Sequence, residues 1–168
     1  MTKNVFPTMI TLGNLVCGIL SITMTFQGNF RLACILIIIA GIFDRYDGRI
    51  AHYLKASSEL GKELASLADL VSFGVAPSIL VFNAFNLYTL GLVSYFIVLI
   101  LPLCGAYRLA RFNCSTLNNV FTGIPITIAG LLISLYVLIG LSFNLNPVIA
   151  IVLEIVFSYL MVSDDIHY

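Results

Sequence analysis

Three aspartates hold the residues most suited to chemistry. Asp44 and Asp47 stand three apart, so on a helix they share a face that Gly48 and Ala51 continue. Gly61, Ala65 and Asp69 recur at steps of four and form a second stripe of small residues that ends in a carboxylate. If these two helices run antiparallel and pack through their small residues, Asp44, Asp47 and Asp69 converge at one level. Like charges so arranged repel, and such a cluster persists by taking up protons or by holding a cation. Hard oxygen donors favour Mg²⁺ or Mn²⁺, and Mg²⁺ is usually held by one or two carboxylates together with substrate phosphates. The plainer alternative is an interfacial salt-bridge network in which Asp44 and Asp47 pair with Arg45, Arg49 or Lys62.

The elements that must position these groups are membrane helices. Of the 168 residues, 60% are apolar and 10% charged, and the mean hydropathy is +1.06. A soluble domain is about a quarter charged, so the composition argues against one. Zero net charge leaves no electrostatic case for a nucleic-acid partner. Residues 4–30, 32–43, 70–107 and 112–153 contain no Asp, Glu, Lys or Arg. A helix needs about 20 residues to cross the hydrocarbon core, so the two longest runs each hold most of two crossings. Turn-forming residues at 27–29, 83–88 and 142–147 divide the runs.

The pattern predicts an all-α, polytopic membrane protein with six transmembrane helices near residues 8–27, 30–54, 62–85, 89–112, 122–141 and 147–163, in a single domain covering 1–168. Nine of the sixteen charged residues fall between Asp44 and Asp69, which puts the carboxylates at a bilayer interface and points to a phosphate-bearing substrate with a lipid part. With both termini cytoplasmic, every Lys and Arg except Arg31 lies inside. Lys3 precedes an apolar stretch too long for a cleavable leader, so the first helix is expected to be retained. The tail after residue 163 is short enough to suggest a chain that continues further. Cys17, Cys34, Cys104 and Cys114 show neither a C-x-x-C pair nor metal-ligand spacing and read as small hydrophobes.

Asp44-x-x-Asp47-Gly48-x-x-Ala51, followed at the right distances by Gly61 and Asp69, resembles the signature of the CDP-alcohol phosphotransferase family, in which six of the eight fixed positions match. Within that family the chain is similar to the small bacterial integral-membrane members that act on L-serine. The likeness lies in Pro7 to Asn14 with Gly18, in Leu70 to Pro77, in Tyr107 to Asn113, and in Phe121-x-Gly123-Ile124-Pro125. The resemblance implies a six-helix homodimer in the bacterial cell membrane, its site at the cytoplasmic face. It would join CDP-diacylglycerol and L-serine to give phosphatidylserine and CMP with two Mg²⁺ or Mn²⁺ ions.

Position by position, the resemblance implies that Asp44, Asp47 and Asp69 bind metal and that Asp69 also takes the proton of the serine hydroxyl. Thr11, Asn14, Gly48, Ala51, His52, Ser58 and Gly61 fall where the family meets the nucleotide. Arg108 and Arg111, three apart, suit the serine carboxylate or a lipid phosphate as well as they suit positive-inside anchoring. Lys62 and Ser72 are further candidates for serine or lipid phosphate, although Glu59 and Glu63 with Lys55 and Lys62 also read as a solvated face. Glu154, the one charge in the last span, needs a partner or a proton.

Two positions depart from the signature. Ala65 stands where the family has its third Asp, expected to bind both metals, and His52 stands where it has an Arg on the nucleotide. Ala65 has no group that ligates, so the chain reads as a member of this lineage whose transfer activity is impaired. Another acceptor alcohol, such as glycerol phosphate or inositol phosphate, is a second reading that asks for more clustered cations. A non-catalytic binder of nucleotide-lipid is a third, which Ala65 keeps open. A channel would place polar residues along several spans through the midplane, which this sequence does not do.

Overall fold

The computed structural model describes residues 5–54, 59–114, 123–143 and 146–163, and every regular element within them is helical. Helices α1 (Val5–Phe26) and α2 (Phe30–Leu54) form an antiparallel hairpin. Helix α3 (Glu59–Asp69), a single wide π turn (Leu70–Val75) and α4 (Ala76–Ala84) run on as one rod. A 3₁₀ turn (Leu87–Leu90) leads into α5 (Leu92–Cys114), and α6 (Ile126–Phe143) and α7 (Pro147–Val162) complete the bundle. Among the described residues, 4 segments are long and apolar enough to cross a membrane: Thr8–Phe26, Glu59–Ala84, Leu92–Cys114 and Ile126–Phe143. Helix α7 is equally apolar but shorter, and α2 carries Asp44, Arg45, Asp47 and Arg49 toward its end.

The turns follow from their residues. Gly28, at φ 76°, closes α1: its N–H donates to Thr25 O at 3.0 Å, and the N–H of Asn29 donates to Met24 O at 2.9 Å. This double closure satisfies carbonyls that a helix end leaves open and needs a residue tolerant of positive φ. Asn29 Oδ1 then accepts from Leu32 N at 3.3 Å to start α2. Asn146 caps α7 by accepting from Val148 N at 3.0 Å, with Pro147 in the first turn, where its missing N–H costs nothing. The expected start of the fifth helix near 122 lies outside the described residues; the described helix begins at Ile126, just after Pro125.

The packing is that of a lipid-solvated bundle. Large apolar side chains such as Phe96, Leu99 and Leu103 on α5, or Leu132, Leu135 and Ile139 on α6, face outward. Ser21, Ser78, Ser134, Ser158 and Thr25 are buried instead. With no water available, their hydroxyls find backbone carbonyls: Ser78 donates to Gly74 O at 2.9 Å and Ser134 to Gly130 O at 2.8 Å, while Ser21 crosses to Ala33 O at 2.9 Å.

The π turn is the hub of this packing. Pro77 has no N–H to return to Phe73, and the N–H of Ala76 reaches Val71 O instead, which widens the turn by one residue. Ser72, Phe73 and Gly74 are consequently all buried, and between them they meet α1, α5 and α6. Ser72 lies against Gly18 of α1, where an added Cβ would sit 2.9 Å from Ser72 Cα. Phe73 lies under Gly130 of α6, where a Cβ would be 2.7 Å from Phe73 Cα. Gly74 approaches Ile126 of α6 and Pro102 of α5. Asp69, the last residue before the turn, is held at the junction of all these helices.

Candidate active site

The site forms at the end of the bundle where α1 and α6 begin and α2 and α5 finish. Asp44 and Asp69, on α2 and α3, stand within hydrogen-bonding reach of each other, and Asp47 lies close enough to both for its charge to act on them. The juxtaposition read from the two small-residue stripes is therefore present. The three carboxylates do not close on one point, however. Among the described residues, no three His, Cys, Asp or Glu side chains are grouped as a metal cage.

The physical reason is that a carboxylate only accepts hydrogen bonds and repels its like, so each turns to a donor of its own. Asp44 Oδ2 accepts from Thr127 Oγ1 of α6 at 3.2 Å. Asp47 Oδ2 accepts from Thr11 Oγ1 of α1. Asp69 Oδ1 accepts from Asn14 Nδ2 of α1 at 2.9 Å. One turn separates Thr11 from Asn14, and this single face of α1 thereby fixes two carboxylates from two other helices. The alternative network of salt bridges is not formed among the described residues: Arg45 and Lys62 are exposed and pair with none of the three aspartates, and the side chain of Arg49 lies outside the described residues.

The other expected site residues fall into three groups. Thr11 and Asn14, expected at the nucleotide, sit on the carboxylates and are 3% and 2% exposed. Gly48 borders open space, and Gly61 is half-buried on the same side of α3 as Ala65. Arg108 is half-buried with its Nε lacking any partner, which leaves a donor at this end of α5, while Arg111 and Lys62 are exposed. Ser72 does not open to the site. It is fully buried and donates to Asn14 O at 3.0 Å, supporting the residue that holds Asp69. The side chains of Ala51 and His52, and all of Ser58, lie outside the described residues.

Sequence reasoning missed Thr127 and Ser66. Thr127 follows the Gly123-Ile124-Pro125 stretch by half a turn and was invisible as a partner of Asp44 because 83 residues separate them. Ser66, next to Ala65, accepts from Asn113 Nδ2 at 3.0 Å and so ties α3 to the Arg108–Arg111 end of α5.

The hard oxygens of Asp44, Asp69 and the nearby Asp47 form a donor set suited to one divalent cation completed by substrate phosphate oxygens. It is poorer for a second ion. Ala65 stands one turn before Asp69 on the same face of α3 and contributes only a methyl group there.

Comparison with known proteins places this geometry. The profile of the CDP-alcohol phosphatidyltransferase family matches residues 4–160. A CDP-diacylglycerol–serine O-phosphatidyltransferase of Bacillus subtilis is 40% identical over 161 residues, covering 95% of this chain and 88% of that protein. One of the same description from Helicobacter pylori is 38% identical and covers 83% of this chain, although the chain spans only 60% of its length. An archaetidylserine synthase of Methanothermobacter thermautotrophicus is 36% identical over 160 residues, covering 94% of this chain and 66% of that protein. With a family match over nearly its whole length and carboxylates from α2 and α3 set side by side, the chain belongs to the CDP-alcohol phosphatidyltransferase family.

Proposed function

We propose that this chain has the machinery of a phosphatidylserine synthase, moving a phosphatidyl group from CDP-diacylglycerol to L-serine with release of CMP, and that Ala65 impairs it. The observation that carries the reading is the adjoining pair Asp44 and Asp69, with Asp69 held by Asn14 at the same end of the bundle as Arg108. The activities for which these relatives are named supply the substrates.

In this reading Asp69 accepts the proton of the serine hydroxyl as that oxygen forms its bond to the phosphorus bearing diacylglycerol. The bond from that phosphorus to the bridging oxygen breaks, and CMP leaves with the electron pair. Asp44, Asp47 and Asp69 would hold Mg²⁺ or Mn²⁺, which when bound would supply charge stabilisation for the phosphates and the leaving group. Arg108, with Arg111, receives the serine carboxylate or the lipid phosphate, because a guanidinium presents two parallel donors to either. Lys62 is the second candidate for the phosphate. Gly48, Ala51, His52, Ser58 and Gly61 line the nucleotide side, where Gly48 leaves room for close backbone approach. The positive-inside distribution puts the site at the cytoplasmic face of the membrane, and the assembly proposed is a homodimer.

Ala65 favours one further reading, a binder of nucleotide-lipid that does not turn it over. Offering L-serine, glycerol phosphate and inositol phosphate to the detergent-purified Ala65→Asp chain with CDP-diacylglycerol and Mn²⁺ separates the possibilities. Lipid product from L-serine alone is expected. Product from a phosphorylated alcohol instead overturns the choice of acceptor, and CDP-diacylglycerol binding without product in any arm supports the non-catalytic reading.

A further inference from the structure

Asn14 makes a contact that leaves half of its side chain unexplained. Its amide nitrogen donates to Asp69 Oδ1 at 2.9 Å, and a carboxylate only accepts, so the orientation of the amide is fixed. The oxygen, Oδ1, then points away from Asp69 as a pure acceptor. It is buried, in a residue 2% exposed, and has no hydrogen-bond partner among the described residues. A buried acceptor left open keeps its full desolvation penalty, so such an atom calls for a donor. Two neighbouring hydroxyls are committed elsewhere: Thr11 donates to Asp47, and Ser72 donates to the backbone oxygen of Asn14 itself.

We infer that Asn14 Oδ1 receives the ammonium group of the acceptor alcohol and thereby selects a hydroxyl compound with an amino group on the adjacent carbon. The inference rests on the proposed role of Asp69 toward the acceptor's hydroxyl. A hydroxyl placed on Asp69 brings the neighbouring carbon's substituent beside the residue that holds Asp69, and the group offered there by Asn14 is an acceptor. An ammonium donates and carries charge, which makes its bond to a buried amide oxygen stronger than a neutral one. A phosphorylated alcohol offers at most a neutral hydroxyl there, a weaker donor than an ammonium.

A second orphaned atom complements the first. Among the described residues Arg108 Nε is a buried donor without a partner, and Arg108 stands three residues beyond Gly105, which packs near Leu70, the neighbour of Asp69. An unpartnered acceptor and an unpartnered donor at the same end of the bundle match a zwitterion, with ammonium on Asn14 and carboxylate on Arg108.

The test is binding, which slow turnover in the Ala65 chain makes readable. Purified chain with CDP-diacylglycerol and Mn²⁺ is assayed for retention of radiolabelled L-serine, displaced by ethanolamine, which lacks the carboxylate, or by 3-hydroxypropionate, which lacks the ammonium. Asn14→Ala is expected to weaken L-serine and ethanolamine by about tenfold to a hundredfold more than it weakens 3-hydroxypropionate. Equal weakening of all three overturns the inference, because a residue that only positions Asp69 does not sense the ammonium. Asn14→Ser serves the same comparison if the alanine variant does not fold. No retention of L-serine by the parent or by the Ala65→Asp chain contradicts the proposed acceptor itself, whereas retention that Asn14 substitutions weaken without regard to the amine contradicts this inference alone.

Discussion

Thr127 Oγ1 at the start of α6 donates to Asp44 Oδ2 near the end of α2 at 3.2 Å, and this bond makes α6 part of a site whose carboxylates all come from α2 and α3. Groups that orient metal-binding carboxylates typically change affinity or activity about 10–100-fold when lost. Thr127→Val keeps the branched shape and removes the donor. The Mn²⁺ concentration needed for half-maximal CDP-diacylglycerol binding is therefore expected to rise by about tenfold, with little change in thermal stability. An unchanged requirement would mean that Thr127 only fills space.

Asp69 is assigned the proton of the acceptor, and Asp44 is not. In a chain made active by Ala65→Asp, Asp69→Asn keeps the size and the contact with Asn14 but removes the base. Release of CMP is expected to fall by about a hundredfold or more, as for loss of a positioned general base. CDP-diacylglycerol binding is expected to fall less than it does for Asp44→Asn. A variant that loses binding and turnover in equal measure would make Asp69 a ligand only.

Packing at the π turn gives a prediction about stability. A methyl group at Gly130 would stand 2.7 Å from Phe73 Cα, and one at Gly18 would stand 2.9 Å from Ser72 Cα. Backbone atoms have little room to retreat, and overpacking of this kind costs about 1–3 kcal/mol. Gly130→Ala and Gly18→Ala are each expected to lower the melting temperature in detergent, while Gly48→Ala, which meets nothing within 4 Å, is not. Equal melting of all three would show that the helices shift freely at the turn.

Glu154 of α7 is 1% exposed, and among the described residues neither carboxylate oxygen makes a well-formed hydrogen bond, the nearby Ser78 hydroxyl donating to Gly74 O instead. An uncompensated buried carboxylate contributes little to stability, so Glu154→Gln, with nearly the same shape, is expected to melt at or above the parent. A marked loss of stability would reveal a contact that the carboxylate makes and the amide does not.

Much of this was legible in the chain itself. The charge-free runs gave the rods, and the spacing of Asp44, Asp47 and Asp69 brought the right carboxylates to one end, since both are local patterns of helical period. What escaped was long-range or discrete. The donors that hold each aspartate, Thr127 above all, carry no local signal because a lone threonine in an apolar helix is ordinarily satisfied by its own backbone. Ser72 read as a ligand because hydroxyls suit small polar substrates, yet the π turn set by Pro77 rotates it into the contact with α1. The spacing put Asp44, Asp47 and Asp69 at one level, but period fixes which face a residue is on, and not which neighbour its side chain turns to.

The most direct measurement is CMP release from CDP-diacylglycerol and L-serine in detergent with Mg²⁺ or Mn²⁺, comparing this chain with its Ala65→Asp variant. If Ala65 is the lesion in an otherwise complete site, the variant releases CMP at least about a hundredfold faster, the share expected of a ligand to the metals that stabilise the phosphates. Equal rates in the two chains, or silence in both with the protein folded and binding CDP-diacylglycerol, would contradict that account.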